Sequence, residues 1–369
     1  MHRLMSFVLV ACAALLLVGA AAADGGKQRE GAVYALTNAS SGNAVAVFDR
    51  AADGSLTPAG SVSTGGNGSG DGLGSQGALA LDGRRLLAVN AGSNTVSLLR
   101  MDASGDLSLR DTAPSGGVRP ISVTARGPFV YVLNNGDATT PGNISGLLAL
   151  GDRLVPLPGS TRPLSAAATG PAQIAFSPDG RMLVVTEKNT NRIVTYRVAF
   201  FGYAGAPNAQ PSAGQTPFGF AFDPRGRLIV SEAFGGATDA SVLSSYALGR
   251  SGAVTPIDPN VPTTETAACW VVVTSDGRFA YATNTGSNSV SGFAVAGDGG
   301  LDLLDADGKT AATGAMPIDA ALSPHDRFLY VLTGGSHEVA GFRVASDGSL
   351  QAVNVVGGLP AGAVGLVAT

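Results

Sequence analysis

This chain is poor in the residues that most often carry chemistry. It has two cysteines, Cys12 and Cys269, three histidines and a single tryptophan among 369 residues. Cys12 sits inside an N-terminal apolar run, so a processed chain would keep Cys269 alone and have no internal disulfide. Its stability must then come from packing, even in an oxidising compartment. Only 14% of residues are charged, with 23 Lys and Arg against 27 Asp and Glu. No basic stripe is visible, which argues against a nucleic-acid partner, because neutralising phosphates takes clustered Lys and Arg. No Walker, Rossmann or G-x-S-x-G pattern occurs in a supporting context. The histidines lack partners at metal-ligand spacing, so neither a metal nor a cofactor is expected. Cys269 has no base beside it and reads as a buried, inert thiol.

The N-terminus has the parts of a secretory signal. Met1-His2-Arg3 is a short basic region, Leu4 to Val18 is apolar, and Ala21-Ala22-Ala23 supplies small residues before Asp24. This predicts a signal peptide over 1–23, a short linker over 24–30 and one domain over 31–369. The expected location is secreted, periplasmic or otherwise extracytoplasmic. Leu9-Val10-Ala11-Cys12 resembles a lipobox, but the apolar run continues past Cys12, and a plain cleaved signal is the reading preferred. The apolar core is too short to predict a membrane span.

What the chain has in abundance is glycine, 52 residues of it, and a repeat. Ser177-Pro178-Asp179-Gly180-Arg181 and the strand after it return as Leu81-Asp82-Gly83-Arg84, Asp223-Pro224-Arg225-Gly226-Arg227, Thr274-Ser275-Asp276-Gly277-Arg278 and Ser323-Pro324-His325-Asp326-Arg327. The turn has a mechanism: Pro presets φ, Asp caps locally and Gly takes positive φ. Landmarks nine residues upstream, or equivalent by pattern, fall at Gly74, Pro120, Pro171, Pro217, Ala268, Pro317 and Pro360. The spacing is about 45–50 residues with four strand signals per unit, as a propeller blade requires. The chain enters on a second strand, Gly31 to Thr37, and leaves on a first strand after Pro360. This predicts an all-β, seven-bladed β-propeller whose C-terminal segment supplies the innermost strand of the first blade.

In such a disc the first-strand starts and the loops between second and third strands share one face. The residues two after each landmark should ring the channel mouth: Gln76, Ser122, Gln173, Gly219, Trp270, Asp319 and Gly362. Polar or aromatic residues within otherwise apolar strands invite a functional reading, although water in a channel mouth would select polarity by itself. The loop tips add Asn90, Asn134, Glu187, Glu232, Asn284 and Thr333. Glu187 and Glu232 come from neighbouring blades and are the candidate acid and base. Pairing with Lys188 or Arg192 is the structural alternative for Glu187. Gln76, Gln173, Trp270, Asn284, Asp319 and Arg192 are the candidate ligand-binding residues, and Trp270 could equally plug the channel. His337 is a weaker candidate on the same face, and His325 falls on the opposite one.

The repeated Pro-x-x-apolar-Ala-apolar-Ser-Pro-Asp-Gly-Arg pattern, with its Asn- or Glu-bearing loop, resembles the lactonase family of seven-bladed propellers. That family includes propeller 6-phosphogluconolactonases and 3-carboxy-cis,cis-muconate cyclases. The resemblance covers residues 31–369. It implies an exported lactonase-like enzyme acting on a small-molecule ligand at the channel mouth. Related YVTN-type repeats also occur in non-enzymatic surface proteins, so a non-catalytic propeller binding a small ligand or a protein partner is the alternative. Carried over by position, the family's histidine falls at Gln173, its arginine at Phe218 and its glutamate at Glu232. The usual Asp-x-Gly-x-Asp loop reads Glu187-Lys-Asn-Thr-Asn191. Only the glutamate matches.

Overall fold

A computed structural model describes residues 29–369. The signal peptide, the lipobox at Cys12 and most of the linker therefore lie outside the described residues. Seven antiparallel sheets of four or five strands form the blades. Blade 1 contains Arg29–Leu36, Ala44–Ala51 and Leu56–Ser63, and its innermost strand is Val364–Ala368 from the other end of the chain. Its first chain strand starts at Arg29, two residues ahead of the domain start read from the sequence. The remaining blades follow in order, with inner strands Leu79–Asp82, Pro120–Arg126, Pro171–Phe176, Pro217–Phe222, Ala268–Val273 and Pro317–Leu322. Blades 3 and 6 carry an extra short outer strand.

The second strand of each blade is an apolar run because both of its faces are buried between neighbouring blades. Met182–Glu187 and Phe328–Thr333 are buried at every position. Outer strands are polar and exposed, as in Val254–Pro262. Closure is a four-pair antiparallel ladder, with Val33 opposite Ala368, Tyr34 opposite Val367, Ala35 opposite Leu366 and Leu36 opposite Val364. Thr369 extends it, donating N–H to the Ala32 carbonyl at 2.8 Å. Paired in this way, the entry strand Arg29–Leu36 has a hydrogen-bonded neighbour on both sides, as the second strands of the other blades do.

Tyrosines on the second strands fasten blade to blade. Tyr34, Tyr131, Tyr281 and Tyr330 donate their hydroxyls to the carbonyls of Gly105, Gly202, Gly348 and Gly54 at 2.6 to 2.8 Å. Each acceptor is a turn glycine with positive φ in the next blade's outer hairpin. Among the described residues no helix is long and apolar enough to cross a membrane.

Candidate functional site

The alternation of strands puts the first-strand starts and the second-to-third-strand loops on one face, the mouth, and the Asp-Gly turns on the other, the underside. The ring residues do not project freely into the channel. They join blades to one another. Gln173 in blade 4 donates Nε2 to the Phe220 carbonyl of blade 5 at 3.0 Å and accepts the Phe220 N–H at 2.6 Å. Ser122 in blade 3 accepts the Ile174 N–H of blade 4. Asp319 in blade 7 accepts the Ala320 N–H at 2.8 Å and lies beside the Gly365 and Leu366 amides of blade 1. Asp319 is fully enclosed, its Oδ2 has no hydrogen-bond partner, and desolvation raises its pKa to about 8.

Gln76 departs from this scheme. It precedes its blade's inner strand and crosses the axis, with Nε2 donating to the Val271 carbonyl of blade 6 at 2.8 Å and Oε1 accepting the Val271 N–H at 3.1 Å. Its own N–H reaches the Ala172 carbonyl of blade 4 at 3.0 Å. Ser75 gives its hydroxyl to the Ile121 carbonyl and takes the Trp270 indole N–H on its own carbonyl, at 2.8 and 3.0 Å. Residues 74–77 therefore plug the channel with main chain. The glycines make this possible: Gly74 and Gly77 have φ of 57° and 81°, and a Cβ on Gly219 would lie 2.2 Å from Gln76 Oε1. Beneath the plug is a cavity of about 380 Å³ open to the underside, lined by Gln76, Gln173 and apolar inner-strand residues such as Phe220 and Val271.

Trp270 is buried, packed against Phe218 with ring centroids 4.9 Å apart and planes tilted by 51°, and grouped with Ala172 and Cys269 in an apolar layer above the plug. Its indole N–H is taken up by the Ser75 carbonyl, so the ring braces the segment that crosses the channel. Burial pushes the Cys269 thiol up to about 11, which keeps it protonated and unreactive.

Glu187 and Glu232 lie inside the blades with no exposed surface. Glu187 accepts the Ser165 N–H at 2.9 Å, the Ser165 hydroxyl and the Thr190 hydroxyl at 2.7 Å. Among the described residues neither Lys188 nor Arg192 pairs with it. Glu232 takes hydroxyl protons from Ser212, Ser244 and Tyr246 at 2.5 to 2.6 Å and the Gly214 N–H at 2.9 Å. Asn90 and Asn284 hold the same place in their blades and bind serine hydroxyls through Nδ2. The position is thus a polar clasp that recurs around the ring, and in blades 4 and 5 the glutamate oxygens are already occupied. Arg192 lies half-buried at the start of a third strand, opposite Glu187 in the ladder. His337 is half-buried with Nδ1 unpartnered, while His325 sits in an underside turn at φ 61°.

The solvent-facing chemistry of the mouth comes from residues that the repeat pattern did not single out. Lys188 extends over the apolar layer, with its ammonium 4.5 Å from the Phe218 ring centroid and donating to the Gly74 carbonyl at 2.5 Å. Desolvation lowers its pKa to about 8, and the nearby Arg119 charge adds to this. Arg119 is held at φ 55°, and its N–H is fixed by Asn94 Oδ1 at 2.8 Å. Neither cation has an ion-pair partner among the described residues. Two polar depressions of about 550 and 400 Å³ share the loop Asn135–Ala138; Arg119 lines the first, and Lys188 lines neither but precedes Asn189, which lines the second. Asp71 and Asn94 also line the first. One signal was available in the sequence: Lys188 stands in the loop that differs most from copy to copy.

No curated protein matches the chain. Among solved structures, a Lactobacillus plantarum protein superposes with TM-score 0.73 at 19% identity, over 93% of this chain and 100% of its own. The periplasmic gluconolactonase PpgL of Pseudomonas aeruginosa superposes with TM-score 0.65 at 20% identity, over 90% and 98%. At these identities the likeness is one of fold. The family model "Lactonase, 7-bladed beta-propeller" matches residues 27–140, 146–262 and 244–361, nearly the whole domain. The chain belongs to the lactonase family of seven-bladed β-propellers.

Proposed function

We propose that this protein is an exported lactone hydrolase whose site is on the mouth face, between Lys188 over the Phe218 ring and the polar depression lined by Arg119, with these two cations as its electrophilic groups. The observation that carries this reading is a pair of cations on one face with no ion-pair partner among the described residues, Arg119 lining the depression with the Asp71 carboxylate and Lys188 standing over the Phe218 ring close enough to feel the Arg119 charge. Lactone opening builds negative charge first on the carbonyl oxygen and then on the product carboxylate, and preorganised cations stabilise both. The resemblance puts the family's arginine at position 218, where this chain has phenylalanine. Lys188 brings a cation back to the same place by lying over that ring. The Asp71 side chain is exposed and accepts no hydrogen bond from the described residues, and it lines the same depression as Arg119. In this reading Asp71 takes a proton from water as its oxygen attacks the carbonyl carbon, and the ring C–O bond then breaks, with the departing oxygen taking a proton. The amides of Asn94, Asn135 and Asn189 suit a hydroxylated, sugar-acid lactone. Family membership and the fold likeness to a periplasmic gluconolactonase support the same substrate class and an extracytoplasmic location.

The test is turnover of purified protein over a panel of aldonolactones. Lys188→Met should lower kcat/KM roughly 100-fold or more, and Lys188→Arg should restore part of it. Wild-type activity that depends on the charged lysine should fall as pH rises through about 8. Glu232→Gln should cost stability, while the folded fraction turns over normally. Loss of turnover in a fully folded Glu232→Gln protein would instead return the chemistry to the glutamate. Gln173 and Phe218, in place of the family's histidine and arginine, favour the non-catalytic reading. It would hold if wild-type protein binds sugar acids in a thermal-shift screen yet opens no lactone.

A further inference from the structure

The underside of blades 3 to 5 has a concave surface that the mouth chemistry does not use. A groove of about 890 Å³ is continuous with one of about 370 Å³ through Asp179, Arg181, Met182 and Arg250, which line both. Five arginines border the pair, Arg126, Arg181, Arg197, Arg225 and Arg250, against the single acid Asp179. All five are exposed. Only Arg181 reaches Asp179, at 3.8 Å, and the other four have no ion pair among the described residues. An excess of four positive charges (five less one) thus faces outward on a chain whose formal net charge is −4. The arginines are scattered over 125 positions, from 126 to 250, so no basic run marks them in the sequence.

Beside the groove, the outer hairpin of blade 4 presents Phe200 and Phe201, 92% and 72% exposed. They pack edge to face at 5.2 Å and 84°. The hairpin is rigid: Gly202 N–H reaches the Ala199 carbonyl at 2.8 Å, Ala199 N–H reaches the Tyr203 carbonyl at 2.9 Å, and the Tyr131 hydroxyl fixes the Gly202 carbonyl. Adjacent aromatic rings held in water by a well-ordered turn are costly unless something covers them. Phe201 does not line the groove, so a small anion or an extended peptide lying in it would leave that ring in water.

We propose that the underside of blades 3 to 5 is a docking surface for an anionic lipid bilayer, with Phe200 and Phe201 inserted at the interface and the arginines against the headgroups. Aromatic side chains favour the bilayer interface, and basic residues near an anionic surface add roughly 1 kcal/mol each, which is about fivefold in partitioning per residue. The mouth then faces away from the membrane.

The test is co-sedimentation of the purified protein with vesicles of phosphatidylcholine alone and of phosphatidylcholine mixed with phosphatidylglycerol. The protein should pellet with the mixed vesicles, stay in solution with the neutral ones, and be released by added salt. Phe200→Ser with Phe201→Ser, and separately Arg181→Ala with Arg250→Ala, should each weaken binding about tenfold or more. All four side chains are exposed, so the thermal transitions of the variants should match wild type. Equal partitioning to both vesicle types, or to neither, overturns the proposal. Unchanged binding in the phenylalanine variant also overturns it and would mark the groove as a site for a soluble acidic partner.

Discussion

Asp319 is a neutral acid set among main-chain amides where its counterparts in other blades are amide or hydroxyl side chains. Its folded pKa of about 8 lies above the ordinary 3.8. Between those values the native state keeps a proton that the unfolded chain has released. Stability therefore falls as pH rises across that window and levels off above it. Asp319→Asn should remove this dependence and raise stability at pH 8 by on the order of 1–3 kcal/mol, measured by denaturant titration at pH 5 and pH 8. A variant as pH-sensitive as wild type would show that another group dominates. The aspartate was visible in the sequence as a polar interruption of an apolar strand. Its state was not, because that is set by burial in the closed ring, which outweighs the opposing pull of the Ala320, Leu366 and Gly365 amides. Glu187 and Glu232 show the same limit. The sequence places them at loop tips, yet only the fold brings up the serines and the tyrosine that occupy their oxygens.

Single strands were the most legible part of this protein, because a buried second strand needs an unbroken apolar run and an Asp-Gly turn needs its own residue types. Bonds between blades were much harder to anticipate. The Tyr330 hydroxyl reaches Gly54 across 276 positions, and nothing near either residue announces it. Asn354 supports the same junction, accepting the Leu56 N–H at 3.1 Å and donating to the Leu56 carbonyl at 3.0 Å. Tyr330→Phe should lower stability by about 1–2 kcal/mol, since it removes a buried hydrogen bond and leaves a carbonyl less well satisfied. The drop should show as a lowered midpoint in thermal unfolding. Blade 2 is where the pattern misleads: an inner strand was expected to begin near Gly74, but the chain there turns across the axis and pairing starts only at Leu79.

For the whole molecule, the ladder between Tyr34 and Val367 joins the two ends of the described chain. Removing residues 364–369 would strip the first blade of its innermost strand and expose Tyr34, Ala35 and Leu36, all fully buried. The truncated chain should lose cooperative unfolding and aggregate, as judged by size-exclusion chromatography and near-ultraviolet circular dichroism. The stopper at residues 74–77 has a different consequence. A torus with its bore sealed works as a cup rather than a pipe. Any molecule that came in from above would have to leave by the same door, and nothing bound below could pass through to meet it.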